Sequence, residues 1–356
     1  MNIKSKRSIT AEKIASLIQS GELPMGSKLP RGTEFAKELG VSHITLRGAL
    51  EDLAKAGLVT SVHGKGTFVT GFGEPAAKGK ILIIRDHFHS LRNISNYILP
   101  GFEKRCCELQ IQTETLNSQF IANTTSAMFR RILKKNGFTG ILIPGGGFKE
   151  NDPLTAMLKE CGLPVLIAHG TAPDSENTPF PLMRTNYAAA WDDGVKFLRS
   201  CGKKRIAFLG NALFKVKYYT DEEFLAHLEA HGAAAEKALI TFCTQEKTSF
   251  TNAVEGLLKV SPEAIFCGSD FLATMVCDLL AARNIDVPRQ IAVLGFGGYP
   301  GGDFYTPALS TVDFQYNAIG EKAAELLAAP ETLTGKRFDI FTPHKILCRE
   351  SAIKIK

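Results

Sequence analysis

Along residues 40–58, GVSHITLRGALEDLAKAGL, apolar positions recur at helical spacing: Leu46, Ala49, Leu50 and Leu53 share one face. His43, Ile44, Arg47 and Gly48 fall on the other face, which predicts an amphipathic helix with a polar outer strip. Ser42 stands where a hydroxyl caps the helix, and Gly57 where it stops. Upstream, Ile14, Leu17 and Ile18 predict a first helix from a cap at Thr10 to about Gly21. Phe35, Ala36 and Leu39 predict a short second helix that turns at Gly40. Then the period changes. Leu58 to Val62 alternates as a strand, His63-Gly64-Lys65-Gly66 makes a glycine-rich tip, and Thr67, Phe68 and Val69 return as a hairpin. Helix, loop, helix, turn, helix and wing is the order of a winged helix-turn-helix, a small α+β domain over residues 1–70.

Residues 71–79 hold glycines, a proline and no apolar period, and read as a linker. Over residues 80–356 short apolar runs alternate with helical stretches. Strands are predicted at 80–84, 112–116, 140–143, 164–168, 205–209, 264–267 and 291–294, with helices at 97–109, 125–135 and 156–160. This predicts a doubly wound α/β domain with mostly parallel sheets, and its length implies two lobes. Ligands of such sheets sit beyond the carboxyl ends of the strands. The exits to inspect are therefore Arg85-Asp86-His87, Pro144-Gly145-Gly146, His169, Asn211, Ser269-Asp270 and Gly295-Phe296-Gly297.

Charge sharpens the picture. Of 42 basic and 36 acidic side chains in 356 residues, ten basic and six acidic lie in residues 1–70, so the head carries most of the net charge of +6. That suits a module binding phosphate. No apolar run is long enough to cross a bilayer, and a cytoplasmic location is expected. The 8 cysteines form no Cys-x-x-Cys pair and read as reduced thiols, with no metal site. Enzyme motifs fail one by one. Gly295-Phe296-Gly297-Gly298 is followed by Pro300 where a dinucleotide fingerprint needs glycine, Gly145-Gly146-Gly147 meets Glu150, and there is no phosphate loop or nucleophile elbow. No catalysis and no cofactor are expected.

The head string from Ile14 to Val69 resembles the GntR family of bacterial transcription regulators. Gly21, Pro24, Gly26, Leu29-Pro30, Leu39-Gly40-Val41-Ser42, Thr45, Arg47, Ala49-Leu50, Gly57-Leu58 and Gly64-x-Gly66-Thr67 carry the likeness. The resemblance implies double-stranded operator DNA as partner, contacted by Arg31, Thr33, Ser42, His43, Ile44, Thr45 and Arg47, and by His63, Gly64 and Lys65 of the wing. Thr33 and His43 stand where that family usually has basic residues, so the operator is expected to differ from the common one.

Three strings of the second part, FLRSCGKKRIAFLG, AIFCGSDFLATMVCDLLAARNIDVPRQIAVLGFGG and TPALSTVDFQYNAIGEKAAELL, are similar to the LacI/GalR-type sensor domain. That domain shares its fold with periplasmic sugar-binding proteins. The combination resembles the arabinose-repressor type of regulator. It implies a homodimer, a small-molecule effector such as a sugar or sugar derivative, and lobe crossings near Thr185-Asn186, near Thr311-Val312-Asp313 and in the last strand region. Thr220, Ser269 and Gly297 replace residues with which sugar-binding members grip hydroxyls. Arg85, Asp86, His169, Tyr218, Thr220, Ser269, Asp270 and Gly297 are the candidate effector groups, with Tyr219 beside them. Each has a plainer reading: Asp270 caps its helix, His169 is a satisfied strand-end histidine, Arg85 pairs at the surface. The expected function is a repressor released by its effector. The alternative is a constitutive DNA-binding protein with a degenerate cleft, and an apolar, collapsed cleft would favour it.

Overall fold

The computed structural model describes residues 5–62, 64–70, 78–85, 93–212, 220–244, 246–333 and 337–353. Two units separate after Lys78. The first holds α1 (Lys6–Gln19), α2 (Gly32–Leu39), α3 (His43–Lys55), β1 (Val59–Val62) and β2 (Gly66–Val69). β1 and β2 pair antiparallel with Val59 opposite Val69, and Lys28 bridges to Phe68 at the edge of this wing. Ile14, Ile18, Leu29, Phe35, Leu46 and Leu53 are buried together in the core of the head. α1 begins earlier than the apolar spacing indicated. Ser5 caps it by accepting from Ser8 N, and Thr10 lies inside the helix with its hydroxyl donated to Lys6 O at 2.7 Å.

The second unit runs β3 (Gly79–Arg85), α4 (Ser95–Glu108), β4 (Ile111–Asn117), α5 (Ser118–Ala122), α6 (Ser126–Lys135), β5 (Gly140–Ile143), α7 (Pro153–Lys159), β6 (Val165–Gly170), α8 (Ala172–Asn177) and β7 (Leu182–Thr185). It continues with α9 (Tyr187–Ser200), β8 (Ile206–Asn211), α10 (Asp221–Ala230), β9 (Ile240–Cys243), α11 (Lys247–Leu258), β10 (Ala264–Cys267), α12 (Asp270–Ala281), β11 (Ala292–Gly297), β12 (Ser310–Asp313), α13 (Tyr316–Ala328), β13 (Asp339–Thr342) and β14 (Lys345–Leu347). Two six-stranded sheets result, in the orders β13-β7-β6-β5-β3-β4 and β14-β12-β11-β10-β8-β9. Every pairing is parallel except β12 with β14. Each sheet is the centre of one lobe. The central strands β5, β6, β8, β10 and β11 are almost wholly apolar and buried because helices cover both faces, whereas edge strand β4 carries polar, exposed residues.

The chain passes between lobes at Asn186, at Phe314-Gln315 and at Pro343-His344. After the second passage α13 packs along α4 in the first lobe. Their backbones nearly touch. A Cβ on Gly101 would overlap the Asn317 carbonyl, and one on Gly320 would overlap the carbonyl of Ile98. Lys104–Glu321 and Arg105–Glu325 ion pairs flank the crossing. Trp191, stacked on Phe296 at 3.8 Å, leads an aromatic series through Phe314 into one buried core shared by both lobes.

Because backbone cannot yield as a side-chain tip does, Gly101→Ala and Gly320→Ala are each expected to destabilise the protein by about 1–3 kcal/mol through forced separation of the helices. Urea unfolding measures this. An unchanged midpoint in both variants would refute the close crossing.

Candidate nucleic-acid interface and effector cleft

In the head, Ser42 caps α3 by accepting from Thr45 N at 3.1 Å, while Gly40 turns the chain between α2 and α3 at φ +71°. The helix presents His43, Ile44 and Arg47 outward, and Ile44 is 84 % exposed. An aliphatic side chain so fully in water has no folding role. Arg47 is held by Glu51 one turn on, at 3.3 Å. The His43 ring lies against Gly32 at the start of α2, so His43, exposed Arg31 and exposed Thr33 adjoin one another. Gly64 and Lys65 are exposed at the wing tip; His63 lies outside the described residues. Lys28, absent from the sequence-based expectation, lies over Gly66 and adds a cation beside the wing. No local pattern marks it, because its bridge partner Phe68 lies forty residues along the chain.

Gly48 does not share the outward strip with His43, Ile44 and Arg47, where its helical spacing placed it. It is buried and faces α1, where Arg7 crosses it and forks onto Asp52. A Cβ there would stand 3.1 Å from Arg7 Cδ and Nε. One step of about 100° along the helix carries position 48 from the strip of Arg47 to the α1 side. The Arg7 hydrogen bonds hold the Asp52 carboxyl below its ordinary range. This glycine makes room for an ion pair within the head, not for close approach to a duplex.

In the second unit the predicted effector groups divide. Arg85 ends β3, half-buried, and donates to Asn96 Oδ1 at 2.8 Å. It lines a cavity of about 370 Å³ at the carboxyl ends of β3 and β5, shared with Asn93, Ser95, Ser118, Gln119 and the glycines 145–147. His169 sits where β6 slips register against β7, at φ +62°, and this bulge aims its ring at Tyr187 and Tyr316. Tyr187 Oη and His169 Nε2 are 3.1 Å apart. Burial holds the His169 pKa down to about 4, so the ring is neutral. Tyr97 of the first lobe stacks on Tyr299 of the second at 4.9 Å, and Tyr316 adjoins both.

The remaining groups serve the framework. Thr220 caps α10 in a reciprocal box with Glu223. Ser269, not Asp270, caps α12. Asp270 is buried, accepting from Thr311 Oγ1 at 2.5 Å and Tyr299 N at 2.6 Å, and desolvation raises its pKa to about 6 despite those bonds. Gly297, at φ +130°, turns the chain so that Tyr299 folds back beside it. Asp86, Tyr218 and Tyr219 lie outside the described residues. Asp174 was not anticipated. It is buried and takes Gly147 N, Phe148 N and Thr171 N at 2.6–2.7 Å, pinning the glycine loop that forms one wall of the cavity.

Residues 7–69 match the family described as bacterial regulatory proteins, gntR family, and residues 195–340 match the periplasmic binding protein-like domain. The chain is a gntR-family head joined to a periplasmic-binding-protein-like domain. Regulators of this composite build recur among its relatives. An HTH-type transcriptional regulator GntR from Pseudomonas aeruginosa is 27% identical, with 84% of this chain and 89% of that protein aligned. An arabinose metabolism transcriptional repressor from Geobacillus stearothermophilus is 24% identical, over 89% and 88% of the two chains. Among solved structures, a complex of the transcriptional regulator CelR with cellobiose superposes with a TM-score of 0.59 over 96% of this chain and 99% of that one, at 18% identity. The gntR-type chain is thus a DNA-binding transcription regulator with a sensor-type fold. Among its described residues no helix is long and apolar enough to cross a membrane.

The neutral, buried His169 has a pH signature. Its folded pKa of about 4 lies below the unfolded value, so the stability it permits is full above about pH 6.5 and is lost as pH falls toward 4. Asp270, with its pKa raised to about 6, acts in the opposite sense, its contribution being lost as pH rises through 6. In the difference between wild type and His169→Asn the Asp270 contribution cancels. That difference is expected to change by up to about 1.4 kcal/mol per pH unit between pH 6 and 4.5, with the wild type losing ground. Equal pH slopes in chemical denaturation of the two proteins would contradict a buried neutral ring.

Proposed function

We propose that this regulator is a repressor that binds double-stranded operator DNA as a homodimer in the cytoplasm and leaves it when a small polar effector, a sugar or sugar derivative, enters the cleft between the lobes. The observation that carries the proposal is a cavity of the first lobe, at the carboxyl ends of its strands, whose lining places Arg85, Asn93, Ser95, Ser118 and Gln119 around a small-molecule volume. The similar structure of a regulator with cellobiose supports an effector of this class. A dimer matches the two-fold symmetry of an operator and doubles the base contacts. Catalysis forms no part of the function. An effector acts only by binding one lobe arrangement better than the other, and closure of the lobes changes the head spacing that the operator accepts.

In the head, Arg47 supplies a fork for a guanine edge, and Ile44 an apolar face for a thymine methyl group. In this reading Arg31, Thr33, Ser42, His43 and Thr45, with His63, Gly64 and Lys65, hold phosphate and register. One observation favours a second reading. The Tyr97–Tyr299 stack bridges the lobes directly, as in a cleft held shut by its own aromatics, and the protein would then bind DNA constitutively.

Fluorescence anisotropy at fixed ionic strength, comparing promoter duplex with scrambled duplex, tests the head. Arg47→Ala is expected to cost about 1–3 kcal/mol of discrimination, and an unchanged ratio would overturn its role. Melting-temperature screens against sugars, sugar acids and nucleosides test the cleft, since a ligand of the folded state raises the midpoint. A compound that does so and releases the operator supports the repressor; operator binding indifferent to every compound supports the constitutive reading.

A further inference from the structure

We infer that the effector is an anionic polyol, a sugar acid or a sugar phosphate, whose negative group lies against Arg85. This rests on reading the cavity as the effector site and names the chemistry it selects. Arg85 is half-buried at the cavity wall, and the partner that orients it is the neutral carboxamide of Asn96. Among the described residues no carboxylate lies within ion-pair distance of it. Elsewhere in this unit Arg105, Arg130, Arg184, Arg205 and Arg283 each meet Glu or Asp, while Arg199 and Arg349 donate to backbone carbonyls. Among the described residues Arg85 has an orienting partner but no neutralising one.

Apart from Arg85, the described wall carries one charged side chain, Asp152, among neutral groups. Asp152 is the carboxylate among the lining residues, and its Oδ1 is occupied by Leu154 N at the start of α7, at 2.8 Å. The amides of Gly147 and Phe148, which could otherwise attract an anion, are already given to Asp174. Asn93, Ser95, Ser118 and Gln119 are neutral groups of the kind that meet hydroxyls. One cation, Arg85, and one carboxylate, Asp152, among neutral donors and acceptors, in a volume of about 370 Å³, suit a small polyhydroxylated molecule whose anionic end meets Arg85 and whose hydroxyls meet the rest of the wall. A neutral sugar enclosed there would leave the guanidinium desolvated with no carboxylate among the described residues at ion-pair distance, a penalty that discriminates against it.

The experiment uses the full-length protein and four matched probes: D-glucose, D-gluconate, D-glucuronate and D-glucose 6-phosphate. Calorimetry and melting temperature are expected to show at least one anionic probe bound tenfold or more tightly than glucose. The carboxylate and phosphate arms distinguish the two sources of the anion. Arg85→Gln is expected to abolish the preference and Arg85→Lys to keep part of it. In wild type the anionic probe is expected to weaken with added salt while glucose does not. If Arg85→Gln unfolds, the lysine variant and the salt dependence carry the test. Glucose bound as tightly as its acids, or a preference that survives Arg85→Gln, overturns the inference and leaves the effector site standing. No binding by any of the four, with operator affinity unmoved, brings down both.

Discussion

The backbone contact between α4 and α13 organises the sensor-type unit. Each helix carries a tyrosine four residues before its crossing glycine, Tyr97 before Gly101 and Tyr316 before Gly320. Residues four apart share a helix face, so the glycine contact places the tyrosines opposite each other, with ring centroids 6.0 Å apart. Tyr299 then finds its seat on Tyr97. Because α13 follows β12 of the other lobe, this crossing also secures the first lobe to a chain that has already left it once. A bulkier pair at 101 and 320 would move the aromatic wall of the cleft together with the helix axis.

Two buried aspartates play matching parts on the two sides of the cleft. Asp174 holds the glycine loop after β5, and a Cβ on Gly146 would overlap its carboxylate. Asp270 holds the loop after β11, and a Cβ on Gly295 would overlap its Oδ1. In the glycine runs 145–147 and 295–298, which as sequence motifs look like incomplete phosphate loops, Gly146 and Gly295 make room for these carboxylates. Each aspartate takes backbone N–H groups out of circulation and sets where a loop stands at the strand ends. The cleft is accordingly shaped by carboxylates that hold its loops, while Arg85 and Asp152 bring charge to the cavity wall.

The head solves a smaller problem with the same economy. α3 must bury one face against α1 and leave the other for DNA, and the boundary runs between Arg47 and Gly48. Arg7 reaches over Gly48 to Asp52, so one side of the helix is closed by an internal ion pair. The other side carries Ile44 into water with His43 and Arg47 beside it. Exposed ion pairs add little stability, and the value of this one lies in fixing the rotation of α3 about its axis.

Local pattern was enough for the elements: apolar period, capping hydroxyls and turn glycines placed the reading helix, the hairpin and the alternation of strands with helices, and family likeness joined them into head and sensor. The missed start of α1 was a matter of competing caps, Ser5 and Thr10 being equally good hydroxyls. Contacts distant in sequence were a different matter. That Gly48 lies under Arg7, that Asp270 serves Thr311 forty-one residues away, that Asp174 secures residues 147 and 148, and that Tyr97 meets Tyr299 depend on which helix crosses which and on where the chain changes lobe. Periodicity tells which face of an element is apolar, because that is set by 1.5 Å of rise and 100° of turn per residue. It carries no information about the partner that will cover the face, and the partner decides whether a polar side chain grips a ligand or a loop.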